Sequence, residues 1–151
     1  MTQRIISRIT AILAFATLLV GCAPKEKNVC HVNPNNWDRS ADIVYENNQP
    51  GTSYVDISFF VRCNADLDIN MLPVVVRIIA PDSAECIEQS IWTFDPEKPT
   101  APATTVQKIA YRSTCAMNQI GKYIFSVTPM QSVRGVEAVG IITEKTDFYK
   151  F

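Results

Sequence analysis

Histidine is nearly absent: His31 is the whole imidazole inventory of this 151-residue chain. One imidazole excludes His-rich metal sites. Glycine is scarce as well, five residues against nine prolines spread through the sequence, which excludes collagen-like and Gly-rich linker classes. No charge sign dominates. Fourteen basic and fifteen acidic side chains leave a formal net charge of −1, with no electrostatic footprint for nucleic acid and no self-repelling tail. Long apolar runs are missing too, since ITAILAFATLLV from Ile9 to Val20 falls short of the about twenty residues that a membrane span needs. What is present is 47% hydrophobic residues, enough to bury the core of one domain.

That apolar run is preceded by Arg4 and Arg8, the positive n-region of a signal peptide whose h-region it forms. Its end, Leu19-Val20-Gly21-Cys22, resembles the lipobox of bacterial lipoproteins, in which the cysteine thiol receives a diacylglycerol and a dedicated peptidase cuts before it. The resemblance implies residues 1–21 as a cleaved signal peptide, Cys22 as the lipidation site and the bilayer as the first partner. Removal of Arg4 and Arg8 leaves a mildly acidic mature chain. After Cys22 come Ala23, Pro24, Lys25, Glu26 and Lys27. No acidic residue follows the cysteine directly, so the inner-membrane retention signal of many Gram-negative lipoproteins is missing, and no acidic run resembles a surface-export signal. The expected location is the outer membrane, anchored by lipid on its periplasmic face.

Beyond a lipidated tether over residues 22–36, the expected domain covers 37–151. SYVDISFFVRC, from Ser53 to Cys63, places Val55, Ile57, Phe59, Val61 and Cys63 on one phase of a period-2 strand. Leu72 to Ala80 is nearly continuous in β-branched residues and reads as a strand covered on both faces, with Pro73 near its start. Glu85 to Phe94, Val106 to Ser113, Lys122 to Thr128, Val136 to Thr143 and a short Asp42 to Tyr45 supply the others. Asn47 to Gly51, Pro81 to Ser83, Asp95 to Pro102 and Asn118 to Gly121 punctuate them. About seven strands and no helix, beyond a possible turn around Gln131 to Arg134, predict an all-β antiparallel β-sandwich.

Four cysteines accompany Cys22 in the mature chain: Cys30, Cys63, Cys86 and Cys115. They allow three disulfide connectivities. A hairpin formed by Glu85 to Phe94 and Val106 to Ser113 around Thr100 would set Cys86 opposite Cys115, and leave Cys30 with Cys63 as the second pair. Their wide spacing in an oxidising compartment argues against zinc.

Three further groups resemble chemistry. Asn64, Asp66, Asp68 and Asn70 alternate like the start of a calcium loop, but the turn glycine and the closing glutamate are absent, so a solvated connection is the better account. Asp95 and Glu97 flank a proline as two carboxylates, in a turn with no substrate groove in the pattern. His31 beside Cys30 is an expected surface residue. No nucleophile, base and oxyanion donor assemble from the sequence, and the expectation is a protein without catalytic, metal or cofactor sites.

Whole segments resemble the gliding-motility lipoproteins of the GldH type. The resemblance covers the lipobox, the tether with Trp37, the strand ending in Arg62 and Asn70-Met71-Leu72. Further on it includes Gly121-Lys-Tyr-Ile-Phe-Ser-Val, Met130 and Arg134-Gly-Val-Glu-Ala-Val-Gly-Ile-Ile-Thr-Glu-Lys. Asp68-Ile69 stands where that family carries Tyr-Pro, which marks a distant branch. The resemblance implies a structural or accessory envelope lipoprotein working with other envelope proteins of a motility or secretion complex. An alternative from another class is a glycan-binding module at the bacterial surface, with Trp37 and Trp92 as aromatic platforms alongside Tyr54 and Tyr111.

Overall fold

The computed structural model describes residues 28–95 and 103–146. Within them the chain forms eight strands: β1 Val29–His31, β2 Ala41–Asn47, β3 Ser53–Cys63, β4 Met71–Ile79, β5 Glu85–Thr93, β6 Thr105–Met117, β7 Gly121–Pro129 and β8 Val136–Lys145. They build two four-stranded antiparallel sheets, ordered β1-β8-β3-β6 and β2-β7-β4-β5. This is a β-sandwich. The signal peptide and Cys22 lie outside the described residues.

Period-2 alternation produces the core. Val55, Ile57, Phe59, Val61 and Cys63 all turn inward from β3, as their common phase requires. From the opposite sheet come Leu72, Val74 and Val76 of β4 and Tyr123, Phe125 and Val127 of β7. Phe59 sits among rings, with centroids 5.1 Å from Trp92, 5.0 Å from Tyr111 and 6.5 Å from Phe125. Trp37 joins this layer from outside the strands, 6.4 Å from Trp92, and forms a bridge with Val133.

Two glycines close the packing. A Cβ on Gly140 would stand 2.1 Å from the Phe60 ring and 2.7 Å from the Asn28 carbonyl oxygen, so β8 needs a bare backbone at that point. Gly135, at φ +86°, lies against the Leu67 backbone, where a Cβ would meet the amide nitrogen at 2.2 Å.

Four sequence expectations are corrected here. The sandwich begins within the expected tether: β1 pairs with β8 through Val29 and Gly140, Cys30 and Val139, and His31 and Ala138. A three-residue strand followed by polar Asn33 to Asn36 leaves too short a period to recognise. Gln131 to Arg134 holds the Val133 bridge in place of a helical turn. Strand β4 is covered on one face only, since Pro73 and Val75 are half-buried on its outer side while Leu72, Val74 and Val76 are fully buried.

The expected hairpin of β5 with β6 does not form. Strand β5 pairs with β4, Cys86 standing opposite Ile78, whereas β6 pairs with β3, Cys115 opposite Val55. The connection crosses from one sheet to the other, which removes the register that would have faced Cys86 with Cys115. Cys30 and Cys63 are separated by strand β8, and two interstrand spacings of about 4.8 Å exceed the reach of a disulfide. All four described cysteines are free thiols.

Candidate functional site

Strand β5 has its polarity reversed. Its inward phase carries Cys86, Glu88, Ser90 and Trp92, of which Trp92 alone is buried, while the outward phase carries Glu85, Ile87, Gln89, Ile91 and Thr93. Because neighbouring side chains of a strand take opposite faces, Trp92 and Ile91 cannot both enter the core. The larger indole wins, packing on Phe59 and Trp37, and Ile87 and Ile91 stay 63% and 62% exposed.

Register then extends this apolar surface across the sheet. Ile91 stands beside Pro73, Gln89 beside Val75 and Ile87 beside Arg77. Met71 continues the outer face at one end, and exposed Met130 donates its backbone N–H to the Pro73 carbonyl at 2.9 Å. At the other end Arg77 meets Glu85 through both carboxylate oxygens, at 3.1 and 2.5 Å. Both side chains of this ion pair are exposed, so it orders the border of the patch more than it stabilises the fold.

Below the patch, a polar strut joins the two open edges. Tyr111 Oη donates to Glu88 Oε1, and Arg112 Nη2 donates to Glu88 Oε2 at 2.8 Å. The Tyr111 hydrogen bond, with Arg112, holds the Glu88 carboxyl below its usual range. Burial and the Glu88 charge raise the Tyr111 phenol. Both shifts leave Glu88 as an acceptor and Tyr111 as a donor, which suits a fixed strut better than a proton-transfer pair. An open cleft of about 650 Å³ runs beside it, lined by Glu88, Tyr111, Arg112 and the Ser113 to Ala116 segment.

Two of the aromatic platforms expected for a sugar, Trp37 and Trp92, are packed inside the core, whereas Tyr54 is exposed. Trp37 and Trp92 are 2% and 0% exposed and pack against each other, with Trp92 also against Phe59, inside the core. Trp37 donates its indole N–H to the Arg39 carbonyl at 2.8 Å, while the buried Trp92 indole N–H has no acceptor among the described residues. An amphipathic ring in a polar stretch of sequence looks like a platform, and only the packing shows it turned inward. A second cleft, about 500 Å³ and half open, lies along His31 to Ser40, next to the point where the chain enters the sandwich.

Asn64 Oδ1 accepts from the Asp66 backbone N–H at 2.9 Å and its amide donates to Glu137 at 3.2 Å, which is a turn held to β8. Glu97 lies outside the described residues, and the Asp95 backbone N–H donates to Gln107 Oε1 at 2.7 Å.

The thiols differ in kind. Cys63 is buried, and desolvation, with the nearby Glu137 charge, pushes it up to about 12. Burial also raises Cys115. Cys86 is exposed, with its sulfur 3.8 Å from Arg112 Nη2. Maleimide applied to the native chain at neutral pH is therefore expected to modify Cys86 and leave Cys63 untouched until denaturant is added. Equal labelling of both by peptide mapping would contradict the packing of β3.

The sequence places Ile87 and Ile91 in the expected strand Glu85 to Phe94, and Pro73 and Val75 in the expected strand Leu72 to Ala80, without setting them on a common outer surface. The signal was in the sequence: on β5 the isoleucines share one phase and Trp92 takes the other. Comparison with protein-family models, with curated proteins and with solved structures found no match to this chain.

Proposed function

We propose that this chain is an outer-membrane lipoprotein, anchored through acylated Cys22 on the periplasmic face, with a non-enzymatic structural or accessory role in an envelope protein complex. The resemblance to gliding-motility lipoproteins supports that class of assembly, which includes the associated secretion. The observation that carries the docking role is the reversed strand β5, whose Ile87 and Ile91 join Pro73, Val75 and Met71 on one open face.

Apolar area left in water is unfavourable by about 25 cal/mol per Å² relative to burial, so a protein that covers this face gains from every side chain it shields. The tether strengthens the effect. Six residue steps separate Cys22 from Asn28, where the described domain starts, and an extended chain covers about 20 Å in that length. A domain confined so close to the bilayer meets membrane-associated neighbours at high effective concentration, and a modest contact suffices.

A strain expressing Ile91→Asp in place of the wild-type chain tests the docking role. The substitution sits on an exposed side chain and leaves the core alone. Fractionated envelopes of the deletion strain are expected to lose or mislocalise at least one other protein, and the folded Ile91→Asp lipoprotein is expected to reproduce that loss. Full restoration of every component by Ile91→Asp would refute docking through this face.

A further inference from the structure

We infer that the β5 edge pairs with the β5 edge of a second copy of this chain, about a two-fold axis at Gln89, joining two four-stranded sheets into one of eight strands. The inference rests on the reading of the β4 and β5 face as a protein-docking surface, and names its occupant.

The four sheet edges differ in how they are protected. Strand β1 has only three residues. Strand β2 alternates charged Asp42 and Glu46 with a single exposed apolar residue, Val44, on its outer face. Strand β6 is broken by two register shifts against β3, with Thr114 at φ +54° and its N–H donated to Asp56 Oδ1 at 2.8 Å. Short length, charge and bulges are the devices that keep an edge from templating another strand. Strand β5 is neither short nor bulged, for its nine residues run against β4 without a register shift and carry Ile87 and Ile91 outward, and its two carboxylates are already paired, Glu85 with Arg77 and Glu88 with Arg112.

The sequence of β5 is complementary to itself in one register. Centred on Gln89, an antiparallel pairing sets Ile87 opposite the partner copy's Ile91 twice over, Gln89 opposite Gln89, Glu85 opposite Thr93 and Glu88 opposite Ser90. All nine residues pair, no like charges face each other, and the isoleucines meet across the strands. Centring on Glu88 places carboxylate against carboxylate, and centring on Ser90 sets Gln89 against Ile91. Centring between two residues pairs outward with inward phases and is excluded by the buried Trp92.

A two-fold at this edge is closed, because the same strand serves both copies. It also leaves the tethers free. Strand β1, where the chain enters, lies at the opposite end of its sheet from β6, and the Glu88 strut ties β6 to the β5 side. Both outer faces then lie on one side of the joined sheet, which doubles the apolar surface offered to a further partner.

Cysteine crosslinking of the full chain in native membranes tests the register. In a Cys86→Ser background, Gln89→Cys puts two sulfurs across the axis, where paired Cβ atoms stand about 5 Å apart. Mild oxidation is expected to move Gln89→Cys to twice its mass on non-reducing gels. Ile87→Cys is expected to stay at single mass, because the two copies of residue 87 are offset by four residues, about 14 Å along the strand. Both positions are exposed, so neither change disturbs the core. Equal dimer from the two variants would overturn the register. Crosslinking of Gln89→Cys only to a different protein would overturn self-pairing and leave the docking face in place. No product at all, with Ile91→Asp restoring every envelope component, would overturn both.

Discussion

Replacing Phe59 by alanine is expected to destabilise the domain by about 3–5 kcal/mol, the range for deleting a large aromatic side chain from a packed core. Phe59 is 0% exposed and stands where the sheets meet, in contact with Trp92 from β5, Tyr111 from β6 and Phe125 from β7. The cavity left behind has rigid walls, because the surrounding rings belong to strands fixed by their own ladders, and collapse into the space is limited. Domains of this size have a total stability of about 5–15 kcal/mol, so the loss is a large share of it. A fall in melting temperature of about 12–20 °C is the corresponding thermal readout. Phe59→Leu, which keeps most of the volume, is expected to recover a large part. Chemical denaturation of both variants checks the ordering, and a loss below about 1 kcal/mol for Phe59→Ala would show that the two sheets do not depend on this ring cluster.

The same ring cluster shows where the sequence was readable. Strand β3 could be placed because SYVDISFFVRC keeps one phase apolar from Val55 to Cys63, and β7 because Tyr123, Phe125 and Val127 share one phase. Local period carries that information. It does not carry which strand lies beside which. The segment between Phe94 and Thr105 looks like a hairpin loop, yet it joins two sheets, and the expected facing of Cys86 with Cys115 disappears with that single change. Period also fails where two demands compete. On β5, Ile87 and Ile91 argue for one face and Trp92 for the other, and only the volume of the indole pocket between Phe59 and Trp37 decides. The candidate docking surface is the direct consequence of that contest. On β4, a nearly continuous apolar run reads as burial on both sides, whereas Pro73 and Val75 face outward, beside Ile91 and Gln89. A sequence written for two covered faces, on a strand with one, is consistent with the docking role proposed for this face.

Cys22→Ala is expected to abolish the attachment on which the proposed role depends. The thiol of Cys22 is the nucleophile that would take the diacylglycerol, and alanine offers no group to replace it. Each buried methylene of an acyl chain contributes about 0.8 kcal/mol, and a single chain gives only reversible binding, so two glycerol-linked chains and a third on the new amino terminus would make the difference between contact and permanence. Without acylation the dedicated peptidase has no substrate, and the precursor keeps its first 21 residues. Two readouts follow: a precursor heavier by the signal peptide, and loss of incorporated labelled palmitate. Mass spectrometry of the amino-terminal peptide separates them from a simple folding defect, because residue 22 precedes the first described residue of the sandwich, Asn28, and the domain keeps its core. On the proposed function, an envelope component lost from the deletion strain is expected to be lost from this variant too, since a domain kept from its proposed outer-membrane site would no longer meet neighbours at high effective concentration. Normal processing with unchanged palmitate labelling would defeat the lipoprotein reading, and the argument for a membrane-proximal partner would fall with it.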